Sequence, residues 1–111
     1  AEITNLIKKL KPKFKLMVMS NSCPELQENV ESNDFYSIFD KLYVSHKVGL
    51  KKPDRAFFTY VLEENNLRPE ECIFIDDAPR NIDVVNELGF RGVLFLSVSQ
   101  LEEDLKKTLN F

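Results

Sequence analysis

The sequence predicts an α/β protein built on a doubly wound parallel sheet, and three observations carry that reading. Four short apolar runs without polar alternation recur along the chain: KLMVMS, KLYVS, IFID and GVLFL. Unalternated strands of this kind belong to parallel sheets covered on both faces. Segments with helical spacing separate the runs, which is the pattern of parallel crossovers. Finally, the chain has 111 residues, enough for one compact domain.

Each element has a local reason. Ile3, Leu6, Ile7 and Leu10 follow the i, i+3, i+4, i+7 spacing of an amphipathic helix that Pro12 ends. Lys15–Ser20 reads as the first strand. Ser22 and Glu25 have capping-box spacing and Pro24 suits a first turn, so a helix is expected to begin there. Glu31–Asp40 reads as irregular or a short helix, and Lys41–Ser45 as the second strand. From Asp54 to Asn65 the residues Phe57, Phe58, Val61 and Leu62 form one helical face. Ile73–Asp76 is the third strand, Pro79–Leu88 a helix closed by Gly89, and Gly92–Leu96 the fourth strand. Ser99 and Glu102 repeat the capping-box spacing before a last helix lined by Leu101, Leu105 and Leu109.

Composition narrows the function. The chain is 43% hydrophobic and 30% charged, so it can bury a core. Its net charge is -3 and it has no long basic run, which argues against a nucleic-acid surface. No apolar stretch approaches the roughly 18 residues of a membrane span. Cys23 and Cys72 are expected near the carboxyl edge of a sheet, as buried free thiols of a cytoplasmic protein. With His46 the lone histidine, expected in a loop or at the surface, a zinc site is disfavoured.

Three segments could carry chemistry. The first strand ends in Ser20-Asn21-Ser22, the linker after the second contains Lys51-Lys52-Pro53, and the third ends in Asp76-Asp77. Open parallel sheets bind ligands just beyond the carboxyl ends of their strands. A hydroxyl beside helix-start N–H groups suits a phosphate oxygen, and a lysine adds a point charge for the same anion. Two carboxylates suit Mg2+, which takes one or two of them with water and phosphate oxygens. Taken singly, each has a plainer reading: Ser20–Ser22 as a turn and cap, Lys52 as a solvated lysine, Asp77 as the cap of the next helix. Together they match one phosphorylated ligand.

With those segments in view, the chain resembles the haloacid dehalogenase-like (HAD) hydrolase superfamily. LMVMSNS is similar to its second motif, with Ser20 matching; VGLKKPD to its third, with Lys52 before Pro53; and IFIDDAPRNI to its fourth. The resemblance implies that Ser20 and Asn21 contact the phosphoryl group and that Lys52 stabilises its charge. It implies Asp77 as the Mg2+ ligand, Asp76 as a second ligand or outer partner, and Asn81 as support for the acidic loop. Dehalogenating members use no metal and lack the acidic pair, so the pair points to a phosphatase-like member.

One departure is large. The family's first motif, D-x-D on a central strand, supplies the nucleophile and the general acid/base, and no D-x-D occurs in these residues. Residues 1–111 are therefore expected to be the C-terminal part of a core domain. An N-terminal segment of the same protein, carrying the D-x-D strand, would lie between the strands ending at Ser20 and Asp76. The expected activity of the intact protein is hydrolysis of a small phosphate monoester through an aspartyl-phosphate, with Mg2+, and the chain alone is expected to be inactive. A non-catalytic HAD-like binding module is the alternative. A receiver domain, which also uses an acidic pair, Ser/Thr and Lys-Pro, places the acidic pair first along the chain rather than last.

Overall fold

Two pairs of parallel strands organise the computed structural model, which describes residues 2–21 and 38–109. In chain order the elements are α1 (Glu2–Leu10), β1 (Met17–Ser20), β2 (Lys41–Val44), α2 (Ser45–Val48), α3 (Arg55–Asn65), a 3-10 turn (Pro69–Glu71), β3 (Ile73–Asp76), α4 (Pro79–Leu88), β4 (Arg91–Leu94) and α5 (Val98–Thr108). The chain divides between Lys51 and Lys52 into two compact units. The expected Ser22/Glu25 cap, Pro24 and Cys23 lie outside the described residues, as does residue range 31–37. No described helix is long and apolar enough to cross a membrane.

In the first unit, β1 and β2 pair in parallel with Met17 opposite Lys41 and Ser20 opposite Val44. Asp40 sets that register at the strand entrance. Its N–H donates to the Leu16 carbonyl at 2.7 Å, and its Oδ2 accepts the Leu16 N–H at 2.7 Å. The Lys11 ammonium lies 3.5 Å from the other carboxylate oxygen. Tyr43 and Val44 are buried, as are Leu6, Ile7 and Leu10 on the apolar stripe of α1.

In the second unit, β3 and β4 pair in parallel with Ile73 opposite Arg91 and Asp76 opposite Leu94. The core is aromatic. Phe57 and Phe58 are fully buried on α3, and Phe58 meets Phe74 edge-on at 5.2 Å and Phe90 at 6.1 Å. Ile82 and Val85 of α4 and Leu101 and Leu105 of α5 complete it. Gly89 closes α4 in the left-handed region, with φ at 103°. Gly92 is required by close approach: a Cβ there would stand 2.8 Å from Asn86 Oδ1 and 2.9 Å from Ile82 Cγ2.

The parallel strands bear out the α/β class, and they form two separate pairs. Several details shift. β1 starts at Met17, two residues later than its apolar run suggests, and Ser45 opens α2 instead of extending β2. His46, expected in a loop or at the surface, falls in α2. The cap of α5 is Ser97 with Gln100, two residues before the expected Ser99/Glu102 pair. Gln100 Oε1 also accepts the Leu96 N–H at 2.9 Å, so β4 ends at Leu94 rather than Leu96. Cys72, a free thiol, precedes β3 and so stands at its amino end, not at the carboxyl edge.

Two outcomes are expected. Phe58→Ala removes the ring that joins Phe74 and Phe90, and urea unfolding should register a loss of about 3–5 kcal/mol. For Asp40, the Leu16 N–H and then the Lys11 charge hold the carboxyl below its usual value. A depressed carboxylate stabilises the fold above its unfolded pKa of about 3.9 and stops doing so as pH falls through the lower folded value. Asp40→Asn should therefore lower the urea midpoint at pH 7, with the gap to the parent closing as pH drops below about 4.

Candidate active site

The turn from β3 into α4 is built around one carboxylate. Asp76 ends β3, and its Oδ1 accepts the Ala78 N–H at 3.0 Å, the local bond that lets an aspartate turn the chain. Pro79 follows at the first helical position, where its missing N–H costs nothing. Ala78 is the cap residue and no side chain caps the helix, so Asp77 does not serve as the cap that its position suggests. One turn into α4, Asn81 is 7% exposed, and its Nδ2 donates to Asp76 Oδ2 at 3.1 Å. Lys52 Nζ donates to the same oxygen at 2.9 Å.

Both partners of this ion pair are shielded, with side-chain exposures of 15% for Lys52 and 8% for Asp76. Burial acts to raise the Asp76 pKa. The Lys52 hydrogen bond, the Ala78 N–H, the Asn81 amide and the Lys52 charge outweigh it, holding the carboxyl below its usual value. A carboxylate oxygen has two acceptor positions. Oδ2 spends both on Lys52 and Asn81, whereas Oδ1 keeps one. Asp77 is exposed and makes no hydrogen bond or ion pair among the described residues.

The donor set fits Mg2+ in part. Asp77 offers a whole carboxylate and Asp76 one remaining position, within the one or two carboxylates Mg2+ takes from protein. Among the described residues no group of three His, Cys, Asp or Glu side chains is gathered to hold a metal. The remaining ligands would have to be water, phosphate or groups beyond the described residues.

Of the residues singled out in the sequence, Lys52, Asp76 and Asn81 meet, and Asp77 adjoins them. Lys51, by contrast, is exposed, which separates the two lysines of KKP. In the first unit, Ser20 ends β1 half-buried opposite Val44, and Asn21 follows it, exposed. Sequence reasoning missed two contributors. One is the Ala78 N–H. The other is Phe74, whose ring centroid lies 5.9 Å from Lys52 Nζ. A signal existed for Phe74, because residues two apart on a strand share a face and Phe74 precedes Asp76 by two.

Removing one member of a shielded pair leaves the other charge uncompensated. Lys52→Met and Asp76→Asn are each expected to cost about 3 kcal/mol in urea unfolding. The double variant should lose clearly less than the sum, and a double-mutant cycle measures the difference.

Comparison with known proteins places this geometry. The family described as haloacid dehalogenase-like hydrolase matches residues 1–94. The chain is 38% identical over 88 residues to the drimenol cyclase drtB of Aspergillus calidoustus, covering 78% of this chain and 17% of that protein. It is 39% identical over 75 residues to the D-ribitol-5-phosphate phosphatase of Bacteroides thetaiotaomicron, covering 66% of this chain and 35% of that one. A HAD-like family hydrolase from Porphyromonas gingivalis superposes with a TM-score of 0.87 at 29% identity, over 100% of this chain and 58% of its own. A HAD family enzyme from Bacteroides thetaiotaomicron, solved with magnesium and inorganic phosphate, superposes at 0.76 with 28% identity, over 87% and 55%. The chain thus spans between about a sixth and three-fifths of these relatives. By this match over most of its length, the chain belongs to the haloacid dehalogenase-like hydrolase family.

Proposed function

We propose that the protein is a Mg2+-dependent phosphatase that hydrolyses a small phosphate monoester through an aspartyl-phosphate. In this reading residues 1–111 are the C-terminal part of one core domain, and a preceding segment of the same protein brings the D-x-D strand. The observation that carries the reading is the unequal use of the acidic pair. Asp76 is bound to Lys52 and Asn81, while Asp77 beside it is left to solvent. Lys52 then presents a charge fixed in position to a phosphoryl group, and Asp77 with the spare position of Asp76 holds the metal. Mg2+ bound there would neutralise phosphate charge. Ser20 and Asn21 take phosphoryl oxygens. The magnesium and phosphate of the Bacteroides thetaiotaomicron relative and the phosphatase named above support this assignment. A cytoplasmic location accompanies the reading.

The strand edges of the second unit support the preceding segment. The ladder runs from Arg91 N–H on Cys72 O, at 3.1 Å, to Phe95 N–H on Asp76 O, at 2.8 Å. Parallel strands direct alternate residues to opposite sides. Gly92 and Leu94 thus turn away from β3, and side chains meet them: Asn86 Oδ1 accepts the Gly92 N–H at 2.8 Å, and Gln100 Nε2 donates to Leu94 O at 3.0 Å. The outer edge of β4 is closed. Ile73 and Ile75 turn away from β4 in the same manner, and among the described residues no strand pairs there. An open edge with an apolar strand suits an added strand.

Full-length protein is expected to hydrolyse p-nitrophenyl phosphate with Mg2+ and to stop when the metal is chelated. Asp77→Ala should lower kcat/KM at least about 100-fold. Unchanged activity in that variant removes the metal assignment. Residues 1–111 alone are expected to give no turnover, since the nucleophile lies outside them. A full-length protein without hydrolysis would instead favour a non-catalytic binding module.

A further inference from the structure

We infer that Phe74 is a positioning residue for Lys52, a role that rests on the phosphatase reading of that lysine. A lysine ammonium sits on four rotatable bonds, and fixing it costs rotamer freedom. The hydrogen bond to Asp76 sets a distance from one carboxylate oxygen. Phe74 adds a restraint from a different direction. Its ring centroid is 5.9 Å from Nζ, inside the range over which an aromatic face attracts a cation. Phe74 and Asp76 stand two apart on β3 and therefore on one face of it. The ammonium is held from one rigid strand by a ring and a carboxylate at once.

The ring is itself fixed. Phe58, fully buried, meets it at 5.2 Å and 86°, and Phe90 backs Phe58 at 6.1 Å. A chain of three rings thus runs from the core of the second unit to Lys52. Leucine at this position would fill much of the space with no negative face for the cation. Tyrosine would keep the face.

The test uses full-length protein with Phe74→Leu, Phe74→Tyr and, as a packing control, Phe90→Leu, whose ring contacts Phe58 at the far end of the chain. With p-nitrophenyl phosphate and Mg2+, Phe74→Leu is expected to lower kcat about five- to tenfold with KM within about twofold. Phe74→Tyr should restore kcat to within about twofold. Phe90→Leu should lower the melting temperature without the loss in kcat. A second measurement needs no turnover: mass spectrometry of lysine acylation by an N-hydroxysuccinimide ester. Phe74→Leu should speed modification of Lys52 at least about threefold while Lys8 and Lys9 keep their rates. Equal kcat losses in Phe74→Leu and Phe90→Leu, or an unchanged Lys52 acylation rate in Phe74→Leu, would overturn the inference. If the parent protein has no phosphatase activity, the functional reading fails by itself and the acylation rates alone decide whether Phe74 holds Lys52.

Discussion

The contact between Lys52 Nζ and Asp76 Oδ2, at 2.9 Å, ties the approach to α3 to the end of β3, 24 residues on, and through Asn81 to the first turn of α4. A shielded ion pair is a poor way to stabilise a fold, because desolvation takes back most of the attraction, and a hydrophobic pair of the same volume does as well or better. The second unit has ample apolar means at hand, with Phe57, Phe58, Val85 and Leu105 all buried. A lysine and an aspartate kept at the carboxyl end of a parallel strand, against that economy, point to chemistry at the strand end.

The same logic separates the two edges of the β3–β4 pair. Closing the outer edge of β4 takes two side chains, Asn86 and Gln100, each from the helix beside it. Gly92 is glycine partly for this purpose, since a Cβ would collide with the Asn86 oxygen that meets its N–H. Among the described residues β3 has no such provision on its other side, where Ile75 stands 39% exposed. Edges that face solvent for good are blunted, and edges meant for a partner are left open. The difference was hidden in the sequence, because IFID and RGVL are both short apolar strands and only hydrogen-bond direction distinguishes their sides.

What could be read from the residues alone follows physical lines. Ile73–Asp76 and Pro79–Leu88 are marked at both ends by residues with strong local preferences: the acidic pair, Pro79 and Gly89. Their bounds were accordingly legible. The end of β4 was not, because Phe95 and Leu96 are as apolar as the strand before them. Leu96, 73% exposed, is withdrawn from the strand by the Gln100 side chain, a tertiary preference that overrides the apolar run. The sequence places the cap of α5 at Ser99, and Ser97 holds it instead, because Gln100 Oε1 accepts the Ser97 N–H at 3.2 Å and the Ser97 hydroxyl accepts the Gln100 N–H at 3.1 Å. At the site, Lys52 and Asp76 were both legible as candidates, and the structure brings these two together. The partnership of Lys52 with Phe74 was not, since a ring inside an apolar strand looks like core packing.

The two adjacent aspartates show how neighbours of one type come to differ. Successive residues leaving a strand point in opposite directions. Asp76 turns inward and meets a cation, an amide and a backbone N–H, and these hold its proton affinity down against the effect of burial. Asp77 turns outward and meets none of them among the described residues. A carboxylate already bound on three sides can orient a lysine but has one acceptor position left for a metal. Its neighbour has no orienting work and its whole coordination capacity in reserve. Placing like charges side by side is unfavourable for a surface left to water. It becomes reasonable when the first charge is neutralised by Lys52 and only the second remains to be matched, so that on the proposed reading Lys52 has to be in place before the pair can serve a cation.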